Sequence, residues 1–163
     1  MKKLDVFSVC ITLVFCVFLS TSVMASDEED VLQLQANFLK ANSSGDYALM
    51  STLYWHSPKT LAFSPGNPPL LMEGWDQSIE KYWKNSSASS AESTNTTTAL
   101  FLHPKVTFLK DDIAVINGYE YFEETDSKTN EVTTAQVRVT RIVQKIGGKW
   151  LIVNEHASLL PEE

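Results

Sequence analysis

The sequence predicts an α+β domain in which helices come first and an antiparallel meander of strands follows. Apolar residues recur at helical spacing near the start, at Val31, Leu34, Phe38 and Ala41. From Ala99 onward, the segments between turns have the composition of strands. Helical segments followed by a run of strands indicate helices packed on one face of a sheet.

Three helices are predicted before residue 85. The first begins at the capping box Ser26–Glu29 and ends at Asn42–Gly45, where polar residues and a glycine stop it. Asp46 caps a second, short helix that runs through Tyr54. The third follows residues 73–76. Its predicted buried positions are Ile79, Tyr82 and Trp83.

The strands are separated by polar turns and by one low-complexity stretch. A short strand over Thr60–Ser64 ends at a Pro- and Gly-rich break over 65–69. The stretch 85–98, rich in Ser, Thr, Asn and Ala, has little to bury and is predicted to be a mobile loop. The remaining strands are predicted over Leu100–Leu109, Ile113–Phe122, Glu131–Ile146 and Lys149–Leu159.

Both faces of the middle strands are apolar. Ala114, Ile116 and Phe122 alternate on one face, and Ile113, Val115, Tyr119 and Tyr121 lie on the other. A half-exposed antiparallel sheet normally alternates apolar with polar residues. We therefore expect a symmetric homodimer that covers one face of the sheet.

The first 25 residues have the pattern of a bacterial-type signal peptide. Lys2 and Lys3 precede an almost unbroken apolar run over Val6–Leu19, and Val23–Ala25 predicts cleavage after Ala25. The alternative is an uncleaved N-terminal anchor. Cleavage would leave one domain, 26–163, in the periplasm or outside the cell and without membrane contact.

Charge and cysteine content exclude several classes of function. The formal net charge is −7, and because the leader carries two lysines and one aspartate, the predicted domain carries −8. Such an acidic domain without a basic stripe argues against nucleic acid and against anionic membrane surfaces as partners. Both cysteines, Cys10 and Cys16, lie in the leader, which excludes a disulfide or a thiolate nucleophile in the domain.

Three local motifs carry a family resemblance: Gly74–Asp76 opens the third helix, Asp112–Ile116 opens a strand, and a closing hairpin ends in His156–Ser158. With the order of elements, they resemble the nuclear transport factor 2-like (ketosteroid isomerase-like) superfamily, in particular its SnoaL-like branch. The association domain of calcium/calmodulin-dependent kinases ends similarly. The resemblance implies a cone-shaped fold with N-terminal helices packed in a curved antiparallel sheet. The fold hosts isomerases, cyclases, dehydratases and non-catalytic assembly modules.

The same resemblance implies residues that face a pocket. Arg141 matches an arginine that faces the pocket in the kinase association domain, and His156 and Ser158 match the terminal His and Ser. Two positions that carry arginine in that relative hold Glu120 and Ala157 here. The three arginines of that pocket are therefore reduced to one, with an acid nearby.

The strand pattern itself points to His156 as a catalytic candidate. A two-residue turn at Gly147–Gly148 would place Arg141 opposite Asn154, on one face with His156 and Ser158. Imidazole can act as a general acid or base near neutral pH. The alternative is a histidine whose hydrogen bond holds the last strand in place.

Arg141 lies in the middle of an otherwise apolar strand and needs a partner if it is buried. Glu120, on the preceding strand, is the nearest plausible carboxylate. A paired Arg141–Glu120 would make the site structural, whereas an open Arg141 beside His156 would receive an anion or a carbonyl group.

Aromatic side chains complete the predicted pocket, although such residues more often form a core. The predicted aromatic lining consists of Trp55, Phe63, Trp75, Tyr82 and Tyr119. The histidines, His56, His103 and His156, lack any close spacing of ligands, so no metal site is predicted.

Two functions follow from these patterns. The leading hypothesis is an exported, cofactor-free domain that binds a small, largely apolar or carbonyl- or carboxylate-bearing molecule through Arg141, Asn154, His156 and Ser158. Whether it also catalyses an isomerase-, cyclase- or dehydratase-type reaction is left open. The alternative is a non-catalytic oligomerisation or interaction module with a vestigial pocket.

Overall fold

The computed structural model describes residues 26–65 and 70–160. The predicted leader lies outside the described residues. The chain divides into two compact units, one that ends at Asp30 and one that begins at Val31. The sheet, the second and third helices, and the first helix from Val31 onward belong to the second unit.

Three helices form where the sequence predicts them. Helix α1 covers 26–44, and α2 covers Tyr47–Leu53. The Asp46 side chain caps α2 by accepting a hydrogen bond from the backbone N–H of Leu49 at 2.9 Å, as predicted. Helix α3, Glu80–Glu92, continues from a π-helical turn over Trp75–Ile79. Within 26–65 and 70–160, none of the helices has the length and apolar composition that crossing a membrane requires.

The described strands form one six-stranded sheet in the order β2-β1-β6-β5-β4-β3. The strand bounds are β1 Leu61–Ser64, β2 Leu70–Glu73, β3 Thr96–Lys110, β4 Ile113–Thr125, β5 Val132–Ile146 and β6 Lys149–Leu159. Neighbouring strands are antiparallel except β1 and β6, which run parallel. The predicted α+β class is confirmed, but the sheet is mixed and contains a strand, β2, that the sequence analysis did not identify.

The prediction of a loop over 85–98 is wrong. The first part of this segment is the C-terminal half of α3, and its last residues begin β3 at Thr96. The serine hydroxyls form hydrogen bonds with backbone carbonyls of the same helix. Ser89 donates to the carbonyl of Asn85 and Ser90 donates to that of Ser86, each at 3.1 Å. The threonines that follow are β-branched and suit a strand. The helix thus continues beyond the buried Trp83 although residues 85–92 are exposed or half-buried and serine has a low helix propensity.

The core lies between the helices and one face of the sheet, which we call the inner face. Ala114, Ile116, Val143 and Ile152 on this face are fully buried. They belong to one apolar cluster with helical side chains that include Phe38, Met50, Trp75, Ile79 and Trp83. Burial of a single large apolar side chain contributes roughly 1.5–3 kcal/mol, so this cluster is the main source of stability.

The other face of the sheet, the outer face, also carries apolar side chains. The cross-strand register assigns to it Leu61, Phe63, Leu71, Leu100, Leu102, Val115, Tyr119, Tyr121 and Ile142. Phe63 and Tyr119 keep 39% and 38% of their surface exposed, and Leu71 and Leu100 keep 45% and 50%. The predicted division of β4 into two apolar faces is therefore confirmed.

Candidate functional site

Arg141 lies at the centre of the inner face and is completely buried. Its Nη1 donates to Oε1 of Glu120 on β4 at 2.6 Å, and its Nε donates to Oε2 of Glu155 on β6 at 3.0 Å. The cross-strand register makes Glu155 the direct neighbour of Arg141. The arginine thus ties three adjacent strands together through their side chains.

Two further side chains complete this cluster, one from α1 and one from the residue that follows α2. Gln35 on α1 donates to Glu120 Oε1 at 2.9 Å and accepts from Arg141 Nη1 at 2.6 Å. The hydroxyl of Tyr54, which follows α2, donates to Glu155 Oε2 at 2.6 Å. The guanidinium carbon of Arg141 lies 3.6 Å from the centre of the Phe38 ring, a cation–π contact.

Burial and the surrounding charges shift the pKa values of two members of the cluster, Arg141 and Tyr54. Burial alone would lower the pKa of Arg141, but the carboxylates of Glu120 and Glu155 outweigh it and raise that pKa above its ordinary value. Burial raises the pKa of Tyr54 well above its ordinary value, and the charge of Glu155 adds to this effect. Arg141 therefore stays positive, and Tyr54 stays a neutral donor.

This arrangement is that of a structural ion-pair cluster. The Nε and Nη1 groups of Arg141 are engaged by protein side chains, as the paired alternative predicts. In the part of the chain that the structure describes, the Nη2 group and the indole N–H of Trp83 are buried without a hydrogen-bond partner. The cluster joins helices to the sheet and presents no evident acid–base pair to a substrate.

His156 does not share a face with Arg141, so that prediction is wrong. The two-residue turn at Gly147–Gly148 forms as predicted, with φ angles of 58° and 81° that suit glycine. However, a β-bulge at Val153 shifts the register, because Val143 pairs with Ile152 while Ile142 pairs with Asn154. The extra residue places Glu155, rather than Asn154, opposite Arg141.

The polar candidates on β6 consequently lie on the outer face. His156 pairs with Thr140 and is exposed, and its ring lies edge-on to Phe63 with 5.7 Å between centroids. Asn154 and Ser158 are half-buried on the same face. The acid next to His156, Glu155, points to the inner face, which excludes a Ser-His-acid triad of Ser158, His156 and Glu155.

The predicted aromatic lining is divided between core and surface. Trp75 is 2% exposed and belongs to the core, and Trp55 is half-buried. Phe63 and Tyr119 lie on the outer face. Tyr82 lines a small cavity beside the cluster, where its hydroxyl contacts that of Ser64 at 3.0 Å.

A small cavity of about 80 Å³ adjoins the ion-pair cluster. Its lining combines aromatic side chains, small polar groups and the two acids: Phe38, Asn42, Ser64, Pro65, Met72, Tyr82, Trp83, Glu120, Phe122, Val137, Glu155 and Ala157. Across 26–65 and 70–160, no group of three His, Cys, Asp or Glu side chains is arranged to hold a metal ion.

The sequence analysis missed Gln35, Tyr54 and Glu155 as members of the cluster. Gln35 could have been found, because it lies on the apolar face of α1 between Leu34 and Phe38, where a polar residue needs a buried partner. Glu155 could not have been found, because regular alternation after Asn154 places it on the face opposite Arg141 and the bulge in β6 has no evident signal in the sequence.

We expect Tyr54 to make the protein less stable at alkaline pH. The pKa of Tyr54 is higher in the folded state than in the unfolded state, where it is about 10. The stability that its neutral hydroxyl contributes is therefore fully present below pH 10 and is lost as the pH rises through the folded-state pKa. Tyr54→Phe should cost about 1–3 kcal/mol at neutral pH and flatten this alkaline decline. Urea denaturation at a series of pH values checks both effects. Tyr119→Phe, on the outer face, should retain the decline, and an unchanged slope in Tyr54→Phe would refute the assignment.

Comparison with known proteins identifies the family. The model of the calcium/calmodulin-dependent protein kinase II association domain matches residues 27–161. Among curated proteins, none matches the chain significantly. The match begins two residues after the predicted cleavage point.

Solved structures agree with this match. A protein of Xanthomonas campestris, provisionally named as such an association domain, is 28% identical over 82% of this chain and 87% of its own, with a TM-score of 0.64. The association domain of the Caenorhabditis elegans kinase is 20% identical over 82% and 96%, with a TM-score of 0.67. A provisionally named dehydratase of Streptomyces avermitilis, from the nuclear transport factor 2-like family, is 15% identical over 85% and 99%, with a TM-score of 0.71. The predicted superfamily is confirmed.

Proposed function

Because the chain belongs to the calcium/calmodulin-dependent protein kinase II association domain family, we propose that it is a non-catalytic self-association module. Two copies pair symmetrically through their outer faces. The observation that carries this proposal is the set of exposed apolar side chains on adjacent strands of that face. Relatives with solved structures are named association or hub domains, which supports self-association.

The outer face has the composition of a surface that a partner covers. Leu71 on β2 pairs with Phe63 on β1, and Phe63 pairs in turn with His156 on β6. Further along the sheet, Leu102 on β3 pairs with Tyr119 on β4. The apolar groups of the outer face therefore form two clusters, one on β1 and β2 and one on β3 and β4. The outer-face side chains of β5 and β6 between them are mostly polar and include Arg138, Thr140 and His156, so the proposed interface would contain two apolar parts with a polar strip between them.

The inner face supports the non-catalytic alternative over the small-molecule hypothesis. Arg141, the residue expected to receive a ligand, is already paired with two carboxylates. The adjoining cavity of about 80 Å³ is also far below the roughly 300–1,000 Å³ of typical ligand pockets. A substrate of the size that isomerases or cyclases handle does not fit in this cavity. A neighbouring groove of about 690 Å³ is large enough, but its lining is mainly serine, asparagine and threonine and includes neither Arg141 nor His156.

The proposal predicts that the purified protein is at least a dimer. Sedimentation velocity over a range of micromolar concentrations should give a mass of two or more chains, with dissociation on dilution if the interface is of standard size. A mass of one chain at every concentration would overturn the proposal.

We further propose that this module acts outside the cytoplasm, after cleavage behind Ala25. The apolar run over Val6–Leu19 and the start of the family match at residue 27 support this location. N-terminal sequencing of the exported protein should begin at Ser26. Mature protein that retains Met1 would instead indicate an anchored form.

A further inference from the structure

With both acids ionised, the ion-pair cluster carries one more negative than positive charge. Arg141 supplies one positive charge, whereas Glu120 and Glu155 supply two carboxylates, and all three residues are at most 5% exposed. In the described part of the chain, neither carboxylate forms a salt bridge with a second cation. An uncompensated buried charge costs several kcal/mol, so the cluster favours an additional positive charge nearby.

The cavity beside the cluster has the lining that such a charge would need. Glu120 and Glu155 both line it, and so do four aromatic side chains: Phe38, Tyr82, Trp83 and Phe122. Carboxylates and aromatic faces together attract ammonium groups. Among the described residues, a basic side chain is absent from this lining, which makes the cavity a poor receptor for an anion.

Size and hydrogen bonding narrow the class of ligand. A cavity of 150 Å³ holds benzene, so about 80 Å³ leaves room for about three or four non-hydrogen atoms. The indole N–H of Trp83, which lines the cavity, is buried. It lies near the Tyr54 hydroxyl but has no acceptor with full hydrogen-bond geometry among the described residues. A ligand oxygen would provide one.

We propose that this cavity binds a small protonated amine that also carries a hydroxyl or carbonyl oxygen. Its ammonium group neutralises the surplus charge of Glu120 and Glu155, and its oxygen accepts from Trp83. This ligand class is opposite in charge to the carboxylate-bearing ligand that the sequence resemblance suggested. The proposal is independent of self-association, since the cavity lies on the inner face.

Isothermal titration calorimetry of the purified protein tests it, with ethanolamine hydrochloride as the probe at neutral pH and constant ionic strength. We expect saturable binding of one ethanolammonium per chain, at least about tenfold tighter than that of ethylene glycol, its uncharged analogue. Choline should bind more weakly because it is larger, and sodium acetate should not bind. Absence of saturable binding, equal binding of ethylene glycol, or preferential binding of acetate would each overturn the proposal.

Two variants link any binding to this cavity. Glu120→Gln makes the cluster formally neutral and should weaken ethanolammonium binding at least about tenfold. Glu124→Gln, on the same strand but exposed, should not change it. If Glu120→Gln does not fold, Glu155→Gln replaces it and removes one negative charge from the same cluster. If neither variant folds, the comparison of ethanolamine with ethylene glycol on the unmodified protein decides whether the cavity binds an ammonium group. Undiminished binding by a folded variant of either acid would contradict the assignment.

Discussion

Arg141→Met is expected to lower the free energy of unfolding by about 3–5 kcal/mol, a large part of the stability of a domain this size. The substitution leaves Glu120 and Glu155 buried without their cation and removes the donor to Gln35. Methionine fills a similar volume, so the loss comes from unpaired charge rather than from a cavity. Urea denaturation monitored by tryptophan fluorescence measures the change.

Lys128→Met is the control. Lys128 is exposed in the turn between β4 and β5 and lies on neither face of the sheet, so its replacement should change stability by about 0.5 kcal/mol or less. Adding Glu120→Gln and Glu155→Gln to Arg141→Met should recover part of the loss, because no buried charge then remains unpaired. A loss below about 1 kcal/mol in Arg141→Met, comparable with ordinary substitutions, would show that the cluster does not stabilise the fold as described.

Replacing Phe63 and Tyr119 together with lysine is expected to weaken self-association at least about a hundredfold, or roughly 2.8 kcal/mol. The two substitutions remove aromatic contact area from the outer face and add positive charge to both copies at once, because a symmetric interface contains each position twice. Sedimentation velocity at equal protein concentration measures the shift from dimer to monomer.

The control for this pair is Leu159→Lys. Leu159 is 49% exposed but pairs with Val137, which places it at the edge of the inner face rather than on the outer face. Its replacement should leave the mass unchanged. Dissociation by Leu159→Lys, with an intact dimer in the Phe63 and Tyr119 variant, would move the interface to another surface.

Features that depend on neighbouring residues could be predicted from the sequence. The spacing of Val31, Leu34 and Phe38 predicts the buried side of α1, and Asp46 predicts the start of α2 through a local hydrogen bond. The pairing of Arg141 with Glu120 also follows from the cost of burying an unpaired charge. These predictions hold because each rests on short-range geometry or on a strong electrostatic penalty.

Features that depend on distant pairing could not be predicted. Periodicity identifies β1 but does not say that it pairs with β6, and the four-residue β2 forms only because β1 is available beside it. A single inserted residue, Val153, reverses the faces of the residues after it and moved His156 away from Arg141. The segment over 85–98 was assigned to a loop from its composition. Its first part instead continues the helix whose Trp83 lies in the core, and its last residues pair with β4.

Hydroxyl-radical footprinting read by mass spectrometry tests most directly whether the outer face mediates assembly. The protein is oxidised at two concentrations, one above and one below the dissociation constant. We predict that Phe63 and Tyr119 become protected at the higher concentration, while Tyr47 on α2 reacts equally at both. Unchanged reactivity of Phe63 and Tyr119 in a protein that does associate, with protection at α2 instead, would contradict the proposal.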